Sequence, residues 1–267
     1  MRLVGFLCAL VVVLTALLFT TEAGSDLRKG IHFRFGTAPA QSEEMLVLVD
    51  LSKSVKTEAR TKAFSVTQGM GSHLKPGDTL GLGLISGNSS EEWPDPVKMG
   101  EPLPYDQQRR RFEEQIKGEI EALQAPVAAP YDRTDILGAL ERAGSKLQPL
   151  SRDAKPDRCH VIAVLSDLIQ DDGRRYDFKS DKRLGDAGRA KGFADQLAER
   201  TPDLLRGVYL YLGCLGSRDR EAMSPERKRA IRNFWEEFGR SSGAVEVIWR
   251  EDGPGDFSEF VASLPRK

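Results

Sequence analysis

Cysteine and histidine are scarce in this chain, three of each in 267 residues. A hydrolase built on Ser52 or Ser166 needs a positioned base, and only His32, His73 and His160 exist to supply one. His32 sits near the N-terminus, while His73 and His160 are expected at the amino-end side of the sheet, away from both serines. No Gly-x-Ser-x-Gly elbow is present either. The same scarcity argues against zinc, because the Cys and His residues do not cluster. Nor is there a surplus of charge: 39 Lys plus Arg stand against 40 Asp plus Glu, a formal net charge of −1. Generic nucleic-acid binding needs a basic excess, so none is expected. A phosphate-cradling loop is also missing, since "GLGLISG" (Gly81 to Gly87) lies in a strand-like run and lacks the Lys-Ser/Thr ending. Internal repeats and low-complexity tracts are absent.

One long hydrophobic run is present. Leu3 to Thr20 is uncharged and apolar, with Arg2 before it and "TEA" (Thr21 to Ala23) after it. That pattern fits a secretory signal with small residues at the cleavage positions, and its length also suits an N-terminal membrane anchor. Both readings place Asp26 onward outside the cytoplasm, in the periplasm, in the extracellular space or tethered to the outer face of a membrane. Residues 1–23 are therefore read as signal peptide or anchor, 24–42 as a linker rich in Gly, Pro and charge, and 43–267 as one domain. Contact with a membrane is expected only through the N-terminal segment. Two cysteines remain in the exported part, Cys159 opening one apolar strand and Cys214 closing another. Parallel neighbours would hold them about 15–20 Å apart, too far for a disulfide.

Past residue 43, apolar runs alternate with helical patterns. Met45 to Val49, Thr79 to Ser86, Val161 to Leu165, Val208 to Leu212 and "AVEVIW" near the C-terminus read as strands. Val97 to Pro104 reads as a short, Pro-bounded edge strand. Helices are expected over about 57–73, 107–123, from Ile136 through Leu147, up to about Glu199, around Ile231 to Phe238, and at "DFSEFVASL". The arginine run "RRRFEEQIK" (Arg109 to Lys117) reads as a solvated helix face, with Arg109 and Arg110 each four residues before a Glu. This order predicts a three-layer αβα fold: a doubly wound, mostly parallel sheet with one short antiparallel edge strand. Asn88 fits a glycosylation sequon. Trp93 and Trp235 read as packing residues.

In such a sheet, ligands bind beyond the carboxyl ends of the strands near the switch in strand order. "EEMLVLVDLSKSVK" (Glu43 to Lys56) ends a strand in Asp50, Ser52 and Ser54, oxygen-bearing at every second position. Serine and aspartate also end strands for ordinary turn and capping reasons. Here Asp167 leaves a second strand ("VIAVLSD") and Thr134 precedes a helix ("DRTDILGAL"), so three segments can deliver oxygen to one place. In these parts, over about residues 43–262, the chain resembles the von Willebrand factor type A domain with its metal-ion-dependent adhesion site, Asp-x-Ser-x-Ser with a distant Thr and Asp.

The resemblance implies that Asp50, Ser52, Ser54, Thr134 and Asp167 hold Mg²⁺ or Mn²⁺. The hydroxyls would be direct ligands and the two carboxylates would act largely through water. An all-oxygen shell suits those ions. Its neutral ligands leave the cation electron-poor, so a carboxylate of a protein partner would complete it. The implied role is metal-dependent protein binding, without catalysis. Lys53, Asp171 and Asp172 are expected on the partner-facing rim. The family often has Gly after the second Asp, whereas this chain has Leu168. Two alternatives stay open: a Mg²⁺-dependent phosphohydrolase with Asp50 as nucleophile, although Ser52 stands where its second carboxylate is wanted, and a structural domain with an unoccupied site.

Overall fold

The computed structural model describes residues 43–75, 77–86, 97–98, 105–124, 132–153, 159–173 and 175–264. All lie in the second of two units, Gln41–Lys267. Residues 1–23, read above as signal peptide or anchor, residues 24–42, read as a linker, Asn88 and Trp93 lie outside the described residues. Among those described, no helix is long and apolar enough to cross a membrane.

Strands and helices alternate: β1 (Glu43–Asp50), α1 (Thr57–Gly69), β2 (Thr79–Ile85), β3 (Val97–Lys98), α2 (Tyr105–Gln124), α3 (Ile136–Asp153), β4 (Cys159–Ser166), α4 (Ala187–Ala198), β5 (Val208–Cys214), α5 (Arg218–Ala222), α6 (Pro225–Ser241), β6 (Glu246–Arg250) and α7 (Phe257–Ser263). The sheet order is β3-β2-β1-β4-β5-β6. β2, β1, β4, β5 and β6 run parallel, and β3 pairs with β2 antiparallel over two residues. Two short 3-10 turns, Met70–Ser72 and Lys182–Leu184, add to the helices. Neither the second of these nor α5 is marked in the sequence by a periodic apolar pattern, because both are too short to carry one.

The central strands read as unbroken apolar runs because both faces of the sheet are covered. Leu46 and Leu48 of β1, Ile162 and Val164 of β4, and Leu210 and Leu212 of β5 face one core with α3, α4 and α6. Met45, Val47 and Val49, with Val161, Ala163, Leu165 and Tyr211, face the other with α1, α2 and α7. The first core is closed by rings: Phe178 meets Phe234 edge-on at 4.7 Å and lies 5.6 Å from Trp235. Such contacts add about 0.5–1.5 kcal/mol each beyond their burial.

Helix starts follow their caps. Asp186 accepts from the Arg189 amide at 2.9 Å, and Ser224, followed by Pro225, accepts from the Arg227 amide at 3.2 Å. The register settles the cysteines. Cys159 pairs with Glu43 at one end of the sheet and Cys214 with Ser166 at the other, and both thiols are free and buried.

Candidate functional site

The strand order reverses between β1 and β4, so their carboxyl ends open the crevice of the doubly wound sheet. Asp50 is the last residue of β1, and Asp167 follows the last residue of β4. Both are completely buried. A chain of hydrogen bonds joins them. The Ser54 hydroxyl donates to Asp167 Oδ2 at 3.0 Å, and the Ser52 and Ser54 hydroxyls lie 2.9 Å apart. The Ser52 amide donates to Asp50 Oδ1 at 2.7 Å, and the Ser166 hydroxyl to Asp50 Oδ2 at 2.6 Å. On the far side, the Ile169 amide donates to Asp167 Oδ1 at 3.0 Å.

Thr134 arrives by another route. Its amide donates to the Asp171 carbonyl and its carbonyl accepts from the Asp171 amide, both at 2.8 Å. Asp135 beside it accepts from the Gly138 amide at 3.0 Å, which starts α3, and from the Gln170 side-chain nitrogen at 3.1 Å. Gln170 is fully buried, and its oxygen accepts from the Leu137 amide at 3.0 Å. Thr134, itself buried, is thus tied to the loop that begins with Asp167. The five oxygen-bearing positions therefore share one edge of the sheet.

Electrostatics follows from burial. Desolvation, reinforced by the neighbouring charge of Asp167, pushes the Asp50 carboxyl up from 3.8 to about 7, against the bonds from Ser166 and Ser52. Asp167 is also raised, chiefly by burial, against bonds from Ile169, Ser217 and Ser54. Among the described residues, no Lys or Arg forms an ion pair with either carboxylate. Arg220 donates to the Asp167 backbone carbonyl at 3.5 Å, while its guanidinium pairs with Glu251 at 2.5 Å.

Sequence reasoning missed several supporting groups. Ser166 was weighed only as a nucleophile, yet it serves as a donor to Asp50. Ser217 bonds Asp167 and also accepts from the Arg220 amide at 3.0 Å, starting α5. A hydroxyl just before a helix could have signalled it, but α5 is too short to be read from the sequence as a helix. Leu168, in the place where the family often has Gly, has φ 62°, in the left-handed region. It is held there by its buried side chain, by its amide donating to Ser166 Oγ at 3.0 Å, and by Trp235 donating to its carbonyl at 2.9 Å.

The three rim residues have local partners. Lys53 pairs with Asp132 at 2.6 Å, with both side chains exposed. Asp171 pairs with Lys179 at 3.2 Å, and Lys179 also reaches Asp219 at 3.3 Å. Asp172 accepts from the Arg175 and Tyr176 amides at 2.7 and 3.1 Å, shaping its own turn.

No family model and no curated protein matches the chain. Among solved structures it is similar to the manganese-loaded TRAP protein of Plasmodium vivax, at 16% identity over 72% of this chain and TM-score 0.38. It is similar also to a von Willebrand factor type A protein from Catenulispora acidiphila (14%, 84% of this chain, TM-score 0.46). A third is the pilus adhesin SpaC from Lactobacillus rhamnosus GG in an open conformation (14%, 85%, TM-score 0.47). The chain spans 62%, 42% and 30% of those three chains, less than two thirds of each. Its own strand order and its parallel sheet covered on both faces make this a doubly wound α/β fold, with Asp50, Ser52, Ser54 and Asp167 joined by hydrogen bonds at the switch point.

Proposed function

We propose that this chain is an exported interaction domain that binds a protein partner's carboxylate through a divalent cation held at Asp50, Ser52, Ser54, Thr134 and Asp167. The observation that carries the reading is a pair of fully buried carboxylates, Asp50 and Asp167, bridged by hydroxyls and given no cationic side chain among the described residues. Leaving such charge uncompensated is expensive, and the raised Asp50 carboxyl is the sign of it.

The donor set fits the group. It is oxygen only, which suits Mg²⁺ or Mn²⁺, and it contains no thiol or imidazole to favour a softer metal. Among the described residues no group of three or more Cys, His, Asp or Glu is placed to hold an ion. Here two carboxylates act with three hydroxyls instead. Ser52, Ser54 and Thr134 would be direct ligands, with Asp50 and Asp167 balancing charge mainly through water. A bound Mg²⁺ or Mn²⁺ would supply an electron-poor position for an acidic side chain. The protein's own residues do the rest. Ser166 and the Ser52 amide orient Asp50, Ser217 and Ile169 orient Asp167, and Gln170 fixes the approach of Thr134. Residues 1–23 would direct export or anchor the chain, 24–42 would tether it, and 43–267 would form the binding domain.

Calorimetric titration with MgCl₂ and with MnCl₂ tests this. Binding by the wild type that is lost in Asp167→Ala, with its far-ultraviolet circular dichroism retained, is the expected result. Absence of both heat and thermal shift in the wild type would remove the metal from the account and leave a fold without this function.

A further inference from the structure

β6 ends the sheet, and among the described residues nothing pairs with its outer edge. The Val245 amide donates to the Val208 carbonyl at 2.8 Å, and the parallel register pairs Glu246 with Tyr209 through to Arg250 with Gly213. By the two-residue period of a strand, Val245, Val247 and Trp249 turn their backbone groups to β5. Glu246, Ile248 and Arg250 turn theirs outward. The side chains of those same three residues line a cleft of about 490 Å³, whose other walls include Tyr209, Phe260 and Leu264. Of the usual protection the edge carries only its shortness and two charges. "EVIWR" has no Pro, Gly or Lys, and Val245 just before it is 56% exposed.

The outward residues form a charge palindrome about Ile248. Turned through a two-fold axis at Ile248, an antiparallel copy sets Glu246 opposite the partner's Arg250 and Arg250 opposite the partner's Glu246. Ile248 then meets the partner's Ile248. About six backbone hydrogen bonds close across such a seam. Glu246 and one nitrogen of Arg250, which already pairs with Asp256, are available for it. Glu246 makes no ion pair among the described residues, and Arg250 bonds Asp256 through Nε and the Trp249 carbonyl through Nη1, leaving Nη2. We propose that β6 pairs antiparallel with β6 of a second copy of this chain, joining two sheets into one. This surface lies apart from Asp50 and Asp167 and does not depend on metal.

A strand of this length spans about 17 Å, so the seam is small and the association is concentration-dependent. Sedimentation velocity on the purified chain with EDTA, from about 1 to about 300 µM, reads it. A reversible monomer–dimer equilibrium is expected for the wild type. Glu246→Arg and Arg250→Glu each set like charges opposite one another at two symmetry-related places, and each should weaken association by about tenfold or more. An equal mixture of the two variants restores complementary pairing and should dimerise although neither does so alone. Arg250 also holds Asp256, so thermal unfolding of each variant accompanies the series, and Glu246→Arg stands as a test without disturbing that bond. A wild type that stays monomeric throughout overturns the proposal, whether the edge is vacant or built for another extended segment. So does a dimer indifferent to Glu246→Arg.

Discussion

Removing one charge from the pair of buried carboxylates is expected to stabilise the metal-free protein. In the folded chain the Asp50 carboxyl is pushed from 3.8 to about 7, while the unfolded chain ionises it near 3.8. The folded state therefore keeps a proton that the unfolded state releases between about pH 4 and 7. Stability falls as pH rises through that window and levels off above it. A move from 3.8 to about 7 corresponds to about 4 kcal/mol. Asp50→Asn abolishes the titration and keeps the shape, but it exchanges one accepting oxygen for a donor beside Ser52 and Ser166, costing about 1 kcal/mol. The net gain near pH 8 is about 3 kcal/mol, or about 6–12 °C in Tm for a domain of this size. The assay is thermal unfolding of wild type and Asp50→Asn in EDTA at pH 5 and pH 8. The advantage of Asn should be about 3 kcal/mol at pH 8 and shrink to below about 1 kcal/mol at pH 5. Mg²⁺ at a hundredfold excess over Kd should nearly cancel that advantage at pH 8, since the wild type alone gains about 2.7 kcal/mol, and a thousandfold excess, worth about 4.1 kcal/mol, should reverse the order. An Asn variant less stable than wild type in EDTA at pH 8, or a difference independent of pH, would refute the reasoning: Asp50 would then be ionised and compensated within the protein.

Other expectations follow from single contacts. Ser166→Ala withdraws the hydroxyl from Asp50 Oδ2 and should cost about 1–3 kcal/mol by urea unfolding in EDTA, with the pH window displaced upward. Leu168→Ala and Leu168→Gly both empty a buried site, but only Gly relieves φ 62°. The usual order should invert in chemical denaturation, with Gly no less stable than Ala, whereas a Gly variant worse by about 1 kcal/mol would mean the backbone is unstrained. Trp235→Phe keeps the ring packing and loses the bond to the Leu168 carbonyl, an expected cost of about 1 kcal/mol by the same assay. Cys159 and Cys214 are buried, and burial raises the Cys214 thiol far above its ordinary range, so mass spectrometry should find both unlabelled by a thiol reagent until the chain unfolds.

The doubly wound architecture was legible because strands buried on two faces are apolar throughout and the helices between them carry one apolar stripe. The β1 run into Asp50 and the Ile231, Phe234, Trp235, Phe238 face of α6 are instances. The placement of Asp50 and Asp167 at the carboxyl ends of neighbouring strands was legible because that order sets it. What joins them was not. Nothing in the spacing of Ser166, Gln170 or Ser217 says which oxygen each side chain meets, since those partners lie in distant segments brought near only by the finished sheet. Asp172 on the expected rim shows the same limit. Asp172 is charged and follows the site, but its carboxylate caps amides three and four residues on, a local use that sequence does not separate from an outward one. α5, with only five residues, is too short for periodicity to register.

The bonds that close the site bridge the chain over long distances: Ser54 to Asp167 across 113 residues and Ser166 to Asp50 across 116. No local segment contains it, so it can assemble only after β1 and β4 are paired, late on the folding path. A cation that needs all five positions meets them after the rate-limiting step has passed. Metal is therefore expected to leave the refolding rate almost unchanged and to slow unfolding, so that occupancy would set how long the domain survives rather than how quickly it forms.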